Sequence, residues 1–315
     1  MSTASTRTLI TVDLEGLAEA ARAVPGVEIV TAFDRNDIMK QIGHAEVVCV
    51  ARNFDAELLK AGRNVKLVHA MLGGVESILF PELVESAVPL TCVKQCFGMP
   101  GAQHAMASML AVVSRLNDYW WLRSKHKLEW RLPRELQGKT LGIIGFGNIG
   151  RTLGELARPF GMRIVAVART AHQDAGPADE LLTPDQLPRL LAQSDFIVLA
   201  VPLTNRTRGM IDAPQLKLMK PSAWFIDISG RPAIVNEAAV IRALQEGWIG
   251  GADLQFAAPP PETSPLWDME NLIISQYSAN SEEEGVRSNE LFAENLRRYR
   301  LKQPLLGLVD KKAGY

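Results

Sequence analysis

The sequence predicts an α/β protein made of two doubly wound, parallel-sheet domains. Three observations carry that expectation. Short β-branched runs alternate with helix-like stretches along nearly the whole chain, the pattern of parallel sheets covered on both faces. The connections are too long for hairpins and suit helical crossovers. A long apolar stretch over 102–123 interrupts the alternation and divides it into two series.

The first series places strands at 8–12, 27–32, 46–51, 65–71 and 88–93, with helices over 16–24, 36–42, 56–61 and 75–85. The stretch 102–123 reads as one helix, followed by a connector holding Trp120, Trp121 and Trp130. The second series has strands at 140–145, 163–168, 196–201, 223–228, 251–254 and 272–275. Helices over 148–159, 184–192 and 237–246 separate them, and a last helix covers 282–302. Two such halves joined by a helix leave a cleft between domains, where a cofactor and a small substrate meet.

A chain of 315 residues suffices for two domains with cores. An apolar fraction of 47%, a charged fraction of 22% and a net charge of −1 are those of an ordinary globular protein. With Lys and Arg spread along the chain, neither nucleic acid nor a membrane surface is expected as a partner. No apolar run approaches the ~20 residues that span a bilayer, and the start of the chain lacks the features of a signal peptide. Cys49, Cys92 and Cys96 are too few for a disulfide framework, which suits a reducing cytoplasm. They read as buried small residues, and no metal site is expected.

The segment LGIIGFGNIG carries the strongest motif. A β-branched strand leads into Gly145, Gly147, Asn148, Ile149 and Gly150, and an amphipathic helix follows. Gly145 permits a tight turn, Gly147 lets backbone approach a pyrophosphate, and Gly150 lets helix pack on strand. The helix N-terminus offers N–H donors and a positive dipole end to phosphates. About 20 residues on, an acid would bond the ribose hydroxyls of NAD. Here the strand ends in Arg169 and Thr170, a cation and a hydroxyl suited to a 2′-phosphate. The cofactor expected is therefore NADP(H) rather than NAD(H).

Most of the chain resembles the D-isomer-specific 2-hydroxyacid dehydrogenases, which include glyoxylate/hydroxypyruvate reductases and phosphoglycerate dehydrogenase. The resemblance lies in LVHAMLGGVESI, AQHAMASML, the fingerprint with its flanks, SDFIVLAVPLTNRTRGMI, WFIDISGRPAIVNEAAVIRAL, GGADLQF and PLWDMENLIIS. It implies a flavodoxin-like substrate domain over 1–100 and 285–315, a Rossmann cofactor domain over 101–284, and a homodimer formed through the latter. It also implies that Arg231 clamps a substrate carboxylate and carbonyl oxygen, and that the backbone of Leu72, Gly73 and Gly74 holds the carboxylate. Pro202, Ser229 and Asp253 match cofactor-contacting positions, Asp253 near the nicotinamide carboxamide. A small carboxylate substrate follows.

Two departures from the family pattern concern the proton. The family pairs a histidine after the last strand with a glutamate five residues beyond the acid matched by Asp253. Here Tyr277 and Ala258 stand at those places, and Gln103 stands where a glutamate is usual. A phenol is protonated at neutral pH and can donate, so Tyr277 or water is the expected proton donor. His104, Lys94 and His69 are further candidates. Loss of both acid-pair residues leaves two other readings open: changed redox chemistry on the same scaffold, or a catalytically silent NADP(H)-binding sensor.

Overall fold

The computed structural model describes residues 5–169, 175–256, 258–276 and 281–315. It divides into two compact units, 1–96 with 281–315, and 97–280. The sequence placed these divisions at 100 and 285.

The first unit holds a five-stranded parallel sheet of β1 (Thr6–Ile10), β2 (Val27–Thr31), β3 (Val47–Val50), β4 (Leu67–Ala70) and β5 (Leu90–Cys92). Their order is β2-β1-β3-β4-β5, so the topology switches between β1 and β3, where ligands gather in open sheets of this kind. Period-two alternation explains the burial of β3 on both faces. Val48 and Val50 join one core with Ile38 and Ile42 of α2 (Arg35–Ile42), Leu58 of α3 (Ala56–Ala61) and Leu83 of α4 (Pro81–Glu85). Val47 and Cys49 join the other, with Leu17 and Ala21 of α1 (Leu17–Arg22) and Phe292 and Leu296 of α11 (Glu282–Leu301). Thus the C-terminal helix closes the first sheet. Its start is set by Ser281, whose hydroxyl accepts from the Glu284 N–H, with three glutamates in the first turn.

The second unit holds seven parallel strands in the order β12-β11-β10-β9-β6-β7-β8. They are β6 (Thr140–Ile144), β7 (Arg163–Val167), β8 (Glu180–Leu182), β9 (Phe196–Leu199), β10 (Trp224–Asp227), β11 (Gly251–Phe256) and β12 (Leu272–Gln276). The direction of strand addition reverses between β6 and β9. One face packs on α8 (Leu187–Gln193), α9 (Ala213–Leu216) and α10 (Glu237–Gln245). The other packs on α5 (Gly98–Val113) and α7 (Asn148–Ala157).

Several elements differ from expectation. The helix expected over 75–85 covers only Pro81–Glu85, because Pro81 suits a first helical turn and biases the residue before it away from helix. The single helix over 102–123 is two: α5 starts at Gly98, and Arg115 at φ 64° separates it from α6 (Leu116–Ser124). Pro100 sits in the first turn of α5, where a missing N–H costs nothing. Arg115 is held in its left-handed conformation by the Leu132 carbonyl, 3.2 Å from Nε, and by Asp118. Edge strand β8 and the four-residue α9 were not expected. Among the described residues no helix is long and apolar enough to cross a membrane. All three cysteines are buried and free, and burial pushes each thiol up from its ordinary pKa.

His69 on β4 is buried completely, 4.9 Å from the Phe292 ring. Its Nδ1 lies 2.8 Å from the Thr91 hydroxyl, while Nε2 has no partner among the described residues. Burial pulls its pKa down to about 3, so folding favours the neutral ring. Its contribution is complete above the unfolded value near 6.5 and falls by ~1.4 kcal/mol per pH unit below it, down to the folded value. In denaturant melts between pH 7 and 4 the native chain should lose stability relative to His69→Gln with this slope as pH falls, titrations common to both proteins cancelling in the difference. Equal slopes would rule out His69 as the source.

Candidate functional site

The fingerprint lies at the switch between β6 and β9. Gly145 follows β6 at φ 101°, and a Cβ there would lie 2.5 Å from the Ala200 carbonyl oxygen. Only glycine fits both constraints. Helix α7 then buries Gly150, Leu153, Gly154 and Ala157, the i, i+3, i+4, i+7 stripe of an amphipathic helix. A Cβ on Gly150 would lie 2.3 Å from the Gly145 oxygen. Gly147, by contrast, has open space where its Cβ would stand. It is the N-cap of α7 and provides no side-chain cap. An uncapped helix start behind an open glycine fits a phosphate group. Helix α5 packs against the same region through small residues: a Cβ on Gly98 would lie 2.5 Å from Asn148 Nδ2, and one on Gly101 3.2 Å from Ile149.

The other sequence-predicted residues of this unit lie along the same sheet. Arg169 is exposed two residues beyond β7, and among the described residues no carboxylate follows that strand before it. Pro202 follows β9, and Ser229 and Arg231 follow β10. Arg231 is half-buried, with its backbone N–H 3.3 Å from the Ser229 hydroxyl and its Nη1 3.4 Å from the Ser229 carbonyl oxygen. Thr170 and Tyr277 lie outside the described residues. Leu72, Gly73 and Gly74 belong to the other unit, in the turn after β4.

Two buried acids stand nearby. Asp227, at the end of β10, accepts from the Ser229 N–H at 2.8 Å and hydroxyl at 2.6 Å. Burial pushes its carboxyl up to about 6, against the pull of those two bonds; the Asp253 charge adds to the rise and Arg231 opposes it. Asp253, inside β11, has no exposed surface. Its Oδ2 lies 2.9 Å from His104 Nε2 and accepts from the Ser108 hydroxyl, while Oδ1 lies 3.3 Å from the Ser275 hydroxyl. The carboxylate therefore turns toward α5, an orientation that strand periodicity alone could not assign to a partner. Asp227 was not expected from the sequence, although the Ser229 two residues on, whose N–H and hydroxyl it accepts from, was a signal for it.

The first unit has polar groups at its own switch point. Asn53, just past β3, donates to the Thr11 carbonyl at 2.9 Å and so joins the ends of β1 and β3. Beside it a cavity of about 440 Å³ is lined by Phe33, Arg35, Arg52, Asn53, Phe54 and Asp55, among others. Arg35 is engaged by Asp55 and Glu57.

The family model for the NAD binding domain of D-isomer specific 2-hydroxyacid dehydrogenases matches residues 106–279. This chain belongs to that family. The glyoxylate reductase of Thermococcus litoralis is 35% identical over 265 residues, 80% of this chain and 79% of its own length. Among solved structures, the NADPH-dependent glyoxylate/hydroxypyruvate reductase of Sinorhizobium meliloti, in complex with NADP and sulfate, is 25% identical. Its TM-score is 0.84, covering 99% of this chain and 100% of that one. A D-isomer specific 2-hydroxyacid dehydrogenase of Xanthobacter autotrophicus, in complex with NADPH and MES, has the same identity, TM-score and coverage.

The glycine geometry separates packing from ligand contact. Gly150→Ala should destabilise the protein by roughly 1–3 kcal/mol through overpacking. Gly147→Ala should leave stability within ~0.5 kcal/mol and weaken dinucleotide binding. Thermal melts with and without NADPH check both. A Gly147→Ala melt as damaged as that of Gly150→Ala would contradict the assignment.

Proposed function

We propose that this chain is an NADP(H)-dependent oxidoreductase that transfers hydride between nicotinamide and a small 2-hydroxy or 2-keto acid. The observation that carries the cofactor choice is Arg169 at the end of β7, where a ribose-binding acid would stand in an NAD enzyme. Support comes from the two relatives in complex with NADP or NADPH. Gly145, Gly147, Asn148, Ile149 and Gly150 would hold the pyrophosphate, and Arg169 with Thr170 the 2′-phosphate. Pro202, Ser229 and Asp253 complete the proposed cofactor contacts. In this reading the first unit is the substrate domain and the second the cofactor domain.

Bound nicotinamide supplies or accepts the hydride. The chain's own part is to fix and polarise the acid. Arg231 offers a planar, bidentate cation to the carboxylate and the carbonyl oxygen, and draws charge toward that oxygen as hydride arrives at carbon. The Leu72-Gly73-Gly74 turn offers backbone N–H groups to a carboxylate. With Tyr277 and Ala258 in place of the family's histidine and glutamate, Tyr277 or a water passes the proton.

A homodimer is part of the proposal. Trp120, Leu128, Trp130 and Leu132 are 56%, 86%, 82% and 66% exposed on and after α6, an apolar surface in the cofactor unit. Sedimentation at micromolar concentration reads this directly.

Turnover tests the reaction. The pure protein should oxidise NADPH with a 2-keto acid such as glyoxylate or hydroxypyruvate. Arg231→Gln should cost ~100-fold or more in kcat/KM, and Tyr277→Phe should lower kcat if the phenol is the donor. Absence of turnover with every acid, despite NADPH binding, would reject the reaction and favour changed chemistry or a silent sensor.

A further inference from the structure

The side chains of His104, Ser108, Asp253 and Ser275 form a polar cluster in an otherwise apolar layer. Helix α5 supplies the first two, β11 the third and β12 the fourth. The neighbours of α5 in this layer are Ala102, Ala105, Met106 and Met109, all buried. A carboxylate with no exposed surface, such as Asp253, needs charged or hydrogen-bonding partners to remain there. Among the described residues it has three: His104 Nε2 at 2.9 Å, the Ser108 hydroxyl, and the Ser275 hydroxyl at 3.3 Å. Ser108 also donates to the His104 carbonyl at 3.1 Å, which ties the pair to the helix backbone.

Exposure divides the cluster. The Asp253 side chain is 0% exposed and that of His104 is 17% exposed. The other ring nitrogen, Nδ1, bonds to none of the described residues. The buried acid thus fixes the tautomer and orientation of an imidazole whose second nitrogen is left for another group. A purely structural tie between α5 and the sheet would not need a titratable ring with a spare nitrogen.

We propose that His104 and Asp253 form the proton-holding pair of this protein's reaction, doing the work for which the family's histidine and glutamate are absent. The inference rests on the reading of the chain as a 2-keto acid reductase. During reduction the substrate's carbonyl carbon gains a hydride, two electrons with their hydrogen, from the reduced nicotinamide. The π bond breaks, and the oxygen gains a proton from the imidazolium Nδ1–H, handed on through a water. A C–H and an O–H bond form, the nicotinamide is oxidised, and the neutral imidazole recovers its proton from solvent.

His104→Gln separates this role from a structural one, because the amide can still donate to Asp253 but holds no proton. The expected result is a fall in kcat of ~100-fold or more, with KM for the keto acid, NADPH affinity by fluorescence titration and melting temperature nearly unchanged. In His104→Ala, added imidazole should restore turnover in proportion to its concentration. Retention of kcat within twofold in His104→Gln, or absence of rescue, would overturn the proposal. A second readout needs no turnover. Carbethoxylation of His104 by diethyl pyrocarbonate, followed by mass spectrometry, should slow when NADPH and oxamate are bound. If the native protein reduces no keto acid, the reductase reading fails. Protection then decides the pair: slowed modification keeps it at the ligand site, and unchanged modification removes it.

Discussion

The second unit depends on one close approach, that of α7 to the end of β6. Gly150 has no room for a Cβ because the Gly145 oxygen occupies that space, and Gly145 has none because the end of β9 does. These contacts aim the start of α7 at the carboxyl edge of the sheet, and Gly147 leaves that start open. The ends of β7, β9 and β10 share this edge and carry Arg169, Pro202, Ser229 and Arg231. Helix α5 depends on the same contact, since its glycines at 98 and 101 rest on Asn148 and Ile149.

Buried charge is the second organising constraint. Asp227 and Asp253 sit on neighbouring strands, and the charge of Asp253 raises the cost of ionising Asp227. Asp227 responds by titrating near 6 while accepting two bonds from Ser229. Asp253 instead recruits partners from α5 and β12. The two acids are therefore accommodated by different partners, Asp227 within its own turn and Asp253 across the layer. The pairing draws His104 into the cofactor unit's polar chemistry.

Much of the fold was legible because parallel strands buried on both faces announce themselves as β-branched runs. Eleven of the twelve strands among the described residues were placed this way, within a few residues. Strand β8 was missed because Glu180–Leu182 is short and has no β-branched residue. Helix α9 was missed although its signal was present: Asp212 and Gln215 form a capping box around a single turn. The break at Arg115 was invisible, since nothing local requires a left-handed arginine and its support comes from Leu132 and Asp118. In the site, the glycine turn and Arg231 could be named from motif alone. The cluster around Asp253 could not, because its members are separated by as many as 171 residues and meet only once α5 lies over the sheet.

In the proposed function the carboxyl edge of the second sheet receives a dinucleotide through its glycine turn and reads a 2′-phosphate through Arg169. Calorimetric titration of NADPH and NADH onto the pure protein reads both contacts at once. A charge-assisted contact of ~1.5–3 kcal/mol predicts NADPH binding ~10–100-fold tighter, with the difference collapsing in Arg169→Ala. Equal affinities, or tighter binding of NADH, would contradict the account.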